Sequence, residues 1–263
     1  MVYKIFEGFH FYSYKEVSST NKKASDLIDK GILNETIIIA NKQTNGRGRA
    51  GKRWLSPEGN FYVSLIIDIS YNSTHIIPMA SSDVEYLDNK MNVNKLTELT
   101  FVTTLAVGST LLSVIDNGSI QYKWPNDILV DGRKISGILL EKKSDSNWLI
   151  IGIGINTDHA PFSWATCVNS YGRSLSNMDL LRKIILNFNK LRRQWIFNGF
   201  SFIREMWLKK AFKMNEQISI KLADKLHEGI FVDIDKGGKL VLQQKKGSLI
   251  YFDAGELFVN NVL

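Results

Sequence analysis

One cysteine, Cys167, stands in the 263-residue chain, so no disulfide can close within it and a reducing compartment is expected. No charged opening segment runs into an apolar one, so no secretory signal is expected. The longest uncharged run, Leu99 to Ile115, is broken by serines, threonines and Gly108. That is too polar to span a bilayer, and an amphipathic core helix is expected instead. These absences make a cytoplasmic protein without membrane contact the expectation. The four histidines (His10, His75, His159 and His227) are scattered, and the chain carries neither H-E-x-x-H nor a Ser–His arrangement. Zinc-protease chemistry and an enzyme-bound acyl intermediate are thereby disfavoured.

The charge that is present is uneven. The net charge is +7, yet Lys and Asp/Glu balance after residue 212, so the excess sits in residues 1–212. An anionic substrate or an acidic partner suits such a surface. A genomic bias toward Lys codons explains it equally well. The 44% of hydrophobic residues suffices for a substantial core, and the length fits one large domain with or without a small one.

Periodicity gives the elements. "FHFYSYKEVSST" reads as extended chain entering a helix that Ser19, Thr20 or Asn21 can cap and Gly31 can close. "ETIIIA" and "NFYVSLIIDI" read as strands, and "IQYKWPNDILVDGRKISGILLEKK" as strand, loop and hairpin turning at Asp131-Gly132. "NWLIIGIGINTD" reads as a further strand. In "MDLLRKIILNFNKLRRQWIF", Leu181, Ile184, Ile185, Phe188 and Leu191 fall on one helical face. Beyond about residue 212 short alternating runs separated by Gly turns suggest a small β-barrel. The division is therefore 1–212 and 213–263.

"TNGRGRAGKRW", residues 44–54, matches two phosphate-loop templates at once, G-x-G-x-x-G and G-x-x-x-x-G-K. Both require a helix to follow, and the second also requires Ser or Thr after the lysine. Here Arg53 follows Lys52, then Pro57, Gly59 and a strand. A kinase glycine loop lies between strands, but H-R-D, D-F-G and V-A-I-K are all missing. What remains is a strand–loop–strand element whose arginines offer forks to carboxylate or phosphate oxygens. Its like charges predict poor order until an anion arrives. Farther on, Lys123, Asn126, Asp127 and Lys134 gather around one turn, with Asp127 able to hold a lysine or help bind Mg²⁺.

Together "SSTN" (18–21), "QTNGRGRAGKRW" (43–54), "KWPNDILVDGRKISGILLE" (123–141) and "GIGINTD" (152–158) resemble the biotin–protein ligases. The resemblance covers nearly the whole chain, with "EGIFVDIDKGGKLVL" and "FDAGEL" resembling the family's small C-terminal domain. It implies an α+β fold: a mixed β-sheet flanked by helices, of the class II synthetase-like catalytic kind, plus an SH3-like β-barrel. It implies ATP-dependent formation of biotinyl-5′-AMP and transfer of biotin to a lysine of a carboxylase's biotin carboxyl carrier domain. Mg²⁺ would accompany ATP. Ser19, Thr20, Asn21, Gln43, Gly48 and Gly137 would bind biotin. Arg47, Arg49, Trp54, Lys123, Asn126, Asp127 and Asn156 would hold ATP or the adenylate. Lys134, Arg49 and Arg47 would be catalytic, and Asp127 the one candidate magnesium ligand. Ala50 and Lys52 depart from the arginines frequent in the family. The motifs begin close to the N-terminus, so a monofunctional form without a DNA-binding domain is expected. The family leaves monomer and homodimer open. A lipoate or octanoate ligase of the same fold and a non-catalytic biotin-binding module are the alternatives, and a basic nucleic-acid binder is a weaker third.

Overall fold

A computed structural model describes residues 4–69, 93–144, 146–172, 175–223 and 225–258. His75 and Asp224 lie outside these described residues. The chain opens with β1 (Lys4–Phe6), β2 (Phe9–Val17) and α1 (Thr20–Asp29), then β3 (Thr36–Gln43) and β4 (Phe61–Asp68). After α2 (Val93–Leu112) come β5 (Ile120–Lys123), β6 (Asp127–Val130), β7 (Arg133–Lys142) and β8 (Trp148–Ile155), followed by α3 (Asn177–Leu208).

Eight strands form one mixed sheet in the order β1-β2-β3-β4-β8-β7-β6-β5. Only β2 and β3 run parallel; every other neighbouring pair is antiparallel. Helix α1 supplies the parallel crossover. Residues of β8 alternate between the faces. Ile151, Ile153 and Ile155 join the large core under α2 and α3, whereas Ile150 packs with Ala24 and Ile28 of α1. Helix α1 covers only part of its face, and the uncovered part carries the residues described below.

Helix α2 is less amphipathic than its threonines suggest, because Thr100, Thr103, Thr104 and Thr110 are buried with the leucines. Their hydroxyls turn back on the helix: Thr103 Oγ1 donates to Leu99 O at 2.6 Å and Thr110 Oγ1 to Ala106 O at 2.9 Å. Helix α3 buries the predicted apolar face, but Gly199 (φ 73°, ψ 179°) breaks it into two runs. The turn at Asp131-Gly132 takes positive φ at both residues (50° and 75°), as a tight hairpin requires. Arg192 of α3 is buried and donates to both Glu35 oxygens at 2.8 and 3.0 Å. Burial pushes the Glu35 carboxyl up, and this guanidinium draws it back.

The C-terminal strands β9 (Gln217–Leu222), β10 (Lys225–Ile234), β11 (Leu240–Gln243), β12 (Leu249–Phe252) and β13 (Glu256–Phe258) form a second, antiparallel sheet ordered β12-β11-β10-β9-β13. Its apolar face is continuous with the main core: Ile218, Phe231, Leu240 and Leu257 belong to the same cluster as Phe101 and Trp207. Trp124 Nε1 donates to Gly238 O at 3.1 Å, and Arg204 of α3 pairs with Asp233. These contacts fix the second sheet against the site-bearing end of the first.

Candidate active site

The N-terminus of α1 faces the uncovered part of the main sheet. Ser19 has extended backbone and caps the helix, its Oγ accepting from Lys22 N. Thr20 N–H, which no helical carbonyl can reach, donates to Gln43 Oε1 at 2.8 Å. Gln43 Nε2 donates to Ser56 Oγ at 2.8 Å. Ser64 Oγ lies 2.8 Å from Thr20 Oγ1 and donates to Asn21 Oδ1 at 2.6 Å. Asn21 Nδ2 reaches Glu141 Oε2 at 2.8 Å, and the other Glu141 oxygen holds Arg47 at 2.6 Å. One polar chain therefore runs from Ser56 through Gln43, Thr20, Ser64, Asn21 and Glu141 to Arg47. Ser56, Ser64 and Glu141 were not picked out from sequence. The only signals were a serine interrupting an apolar strand and a glutamate ending "GILLE".

Glycines of β7 and β8 form the floor. A Cβ on Gly152 would stand 2.3 Å from Asn21 Oδ1, and one on Gly154 would stand 2.6 Å from the Trp54 ring. A Cβ on Gly137, which pairs with Gly154 across the strands, would stand 3.0 Å from the same indole. Only glycine lets these side chains lie flat on the sheet.

Residues 44–54, expected to be poorly ordered, form a narrow hydrogen-bonded hairpin. Trp54 N–H donates to Gly46 O at 3.0 Å and Gly48 N–H to Lys52 O at 2.7 Å, with Arg47 and Arg53 paired across. Ala50 (φ 50°) and Gly51 (φ 73°) make the tip. Three of the loop's cations find acceptors elsewhere in the chain: Glu141 for Arg47, Asn126 Oδ1 at 3.2 Å for Arg49 and Glu256 at 2.6 Å for Lys52, while Arg53 donates to Thr44 O at 3.0 Å within the hairpin.

The hairpin of β6 and β7 brings the other cations. Lys134 Nζ sits 2.7 Å from Asp127 Oδ1 and 5.3 Å from the Trp54 ring centroid. Asp127 thus holds a lysine, one of the two roles its residue type allows. No group of three His, Cys, Asp or Glu suited to a metal occurs among the described residues. Asp127 is the carboxylate that a magnesium ion would meet beside Lys134. Burial lowers the Lys123 ammonium from its usual range, with Asp127 opposing the shift. Burial lowers Arg49 as well, again against Asp127, and the guanidinium remains a cation. Asn126 Nδ2 donates to Ile138 O at 2.7 Å, and Asn156 Nδ2 to Thr166 O at 3.0 Å. All the residues expected to form the site share this face, the hairpin above it or the strand ends beside it. A groove of about 640 Å³ between Glu7 and α3 lies apart and holds none of them.

The arrangement can place a small polar ring against the α1 terminus and an anion between Arg49 and Lys134. Residues 14–158 match the biotin/lipoate A/B protein ligase family, and residues 213–259 match the biotin protein ligase C terminal domain. The chain is 31% identical over 208 residues to the bifunctional ligase/repressor BirA of Bacillus subtilis, covering 74% of this chain and 57% of that protein. It thus spans little more than half the length of that relative. It is 28% identical over 253 residues to the biotin–[acetyl-CoA-carboxylase] ligase of Paracoccus denitrificans, covering 91% and 96% of the two. Its fold is similar to that of the biotin protein ligase from Aquifex aeolicus in complex with biotin and ATP, with TM-score 0.74, 24% identity and coverage of 94% and 97%.

Proposed function

The chain belongs to the biotin/lipoate A/B protein ligase family, and on that premise we propose that it activates biotin with ATP and passes it to a lysine of a carboxylase's carrier domain. One observation carries the choice of biotin: the linked polar chain of Gln43, Thr20, Ser64, Asn21 and Glu141 at the α1 terminus. A ureido ring has two N–H donors and a carbonyl acceptor that such a chain can satisfy. The dithiolane of lipoate or the tail of octanoate offers these groups neither donor nor acceptor in exchange for the bonds they make to one another, so neither gains what the ureido ring gains.

In this reading the biotin carboxylate oxygen attacks the α-phosphorus of ATP and pyrophosphate leaves. The neutral amine of the acceptor lysine then attacks the mixed anhydride carbonyl, and AMP leaves. Both steps crowd anions together, and Arg49 and Lys134 supply the compensating charge. Lys123 and Asn126 lie toward the phosphates and Trp54 toward the base, while Ser19 caps the helix that presents Thr20 and Asn21. Residues 1–212 form the catalytic part, and 213–263 brace the hairpin through Glu256. The lone buried Cys167 fits work in the cytoplasm.

Incubation with biotin, MgATP and a carrier domain, read by mass, tests this reading. One biotinyl addition is expected, and excess lipoate or octanoate should leave it unaffected. Preferential transfer of lipoate would overturn it. Gly152→Ala is a sharper local test, since its Cβ would displace the Asn21 amide. Losing that pairing is worth about 1–3 kcal/mol, so biotin affinity should fall roughly tenfold to a hundredfold while ATP affinity holds. Unchanged biotin affinity by calorimetry would remove Asn21 from the site.

A further inference from the structure

We propose, on the role given above to Lys134, that Asn60 is a positioning residue for adenylate formation. It fixes the loop that carries the backbone of Lys134 and so sets where the ammonium stands. Asn60 comes just before β4 and is fully buried, at 0% exposure. Its Oδ1 accepts from three successive backbone N–H groups: Thr157 at 3.0 Å, Asp158 at 2.9 Å and His159 at 2.9 Å. Its Nδ2 donates to His159 O at 2.9 Å. A flipped amide would turn a donor toward three donors and an oxygen toward the His159 carbonyl, so the orientation is settled.

These bonds stand where β8 ends, at Ile155, opposite Phe61. Strand β8 lies beside β7 from Ser136 to Lys142. At Lys134 the neighbour is instead Ala165, on the chain returning from the loop. Lys134 N–H donates to Trp164 O at 3.3 Å, and Lys134 O accepts from Thr166 N–H at 2.8 Å. Both backbone polar groups of Lys134 therefore rest on the returning limb. That limb leans in turn on the outgoing one, since Val168 N–H donates to Asn156 O and Asn169 N–H to Thr157 O, each at 3.0 Å. Thr157 Oγ1 adds a bond to Gly59 O at 2.7 Å. A continuous run of bonds thus leads from Asn60 through residues 157–159 and 164–169 to Lys134, while the stretch between, residues 158–164, is mostly exposed.

Three N–H groups converging on one point form a concave cluster of positive potential that needs an oxygen. An apolar residue of similar volume at position 60 would leave them unpaired inside the protein, along with the His159 carbonyl. They regain partners only if residues 157–159 move toward water. That movement draws the returning limb with it and shifts the backbone of Lys134. A cation stabilises developing charge only where it is already in place, and a misplacement of about 1 Å is enough to cost a large part of the rate.

The test compares Asn60→Leu with Asn60→Asp, which keeps an oxygen for the three N–H groups, in the full-length chain. Asn60→Leu should slow single-turnover adenylate formation roughly thirtyfold to a hundredfold and leave biotin affinity unchanged. Asn60→Asp should recover the rate to within about tenfold of the wild type. A merely structural asparagine would lower stability and leave the rate of the folded protein alone. Amide hydrogen exchange gives a second readout that needs no ligation, so a chain that forms no adenylate leaves it interpretable. In Asn60→Leu the amides of Thr157, Asp158 and His159 should exchange faster, and so should those of Lys134 and Thr166. Unchanged exchange at Lys134 and Thr166 in that variant overturns the proposal. So does a wild-type rate of adenylate formation, or an Asn60→Asp protein as slow as Asn60→Leu. Should Asn60→Leu fail to fold, Asn60→Ala takes its place with the same readouts.

Discussion

Replacing Lys134 by alanine is expected to slow adenylate formation by a few hundredfold. A cation positioned where negative charge develops is worth about 3–4 kcal/mol, and Lys134 sits beside Trp54 and Asp127 at the meeting point proposed for carboxylate and α-phosphate. The structure adds a second cost. Asp127 lies 2.7 Å from the ammonium, and both side chains are only about a fifth exposed, at 19% and 22%. Without the lysine, Asp127 becomes an unpaired carboxylate facing two more anions. Screening is weak at such depth. The double variant Lys134→Ala/Asp127→Asn should therefore run about tenfold faster than Lys134→Ala alone, a coupling of contacting residues. Single-turnover pyrophosphate release decides this, with biotin binding measured alongside as a control on folding. If the two variants are equally slow, Asp127 does not face the reacting groups.

Arg49→Gly should fail differently, by losing hold of its product. Arg49 Nη1 reaches Asn126 Oδ1 and so ties the 44–54 hairpin to the turn between β5 and β6. Glycine removes that tie and adds backbone freedom at the hairpin tip. Arg47 keeps its contact with Glu141, and the α1 terminus keeps its polar chain. Adenylate should still form, within about tenfold of the normal rate, because Lys134 remains. The reactive anhydride should then escape and acylate bystander lysines. The measurement pairs pyrophosphate release with biotin incorporation into serum albumin. A variant as inert as Lys134→Ala, leaving albumin unlabelled, would show that Arg49 serves the chemistry rather than retention.

The motif residues needed no structure to be found, yet their assignments to one another did. The glycines and clustered positive charge of residues 44–54 predict poor order until an anion arrives, because the sequence does not show which partners meet the arginines. Their acceptors Glu141 and Asn126 lie far along the chain, and Glu256 comes from the second sheet.

Local chemistry is what the sequence by itself determined. Alternating β-branched runs made strands, a cap among Ser19, Thr20 and Asn21 together with Gly31 bounded α1, Asp131-Gly132 made the tight turn, and Pro57 with Gly59 barred a helix after the glycine loop. Each depends on neighbours within a few residues, so each is legible from the chain alone. Tertiary structure decided which partner each site residue has. Asn21 meets Glu141, 120 residues away, only because the β4–β8–β7 register sets Gly152 beneath the start of α1. A slip of one residue would turn Gly152, Gly154 and Glu141 toward the core and close the floor of the site. Strand register is fixed by the packing of both faces at once, and no local pattern in the sequence contains it.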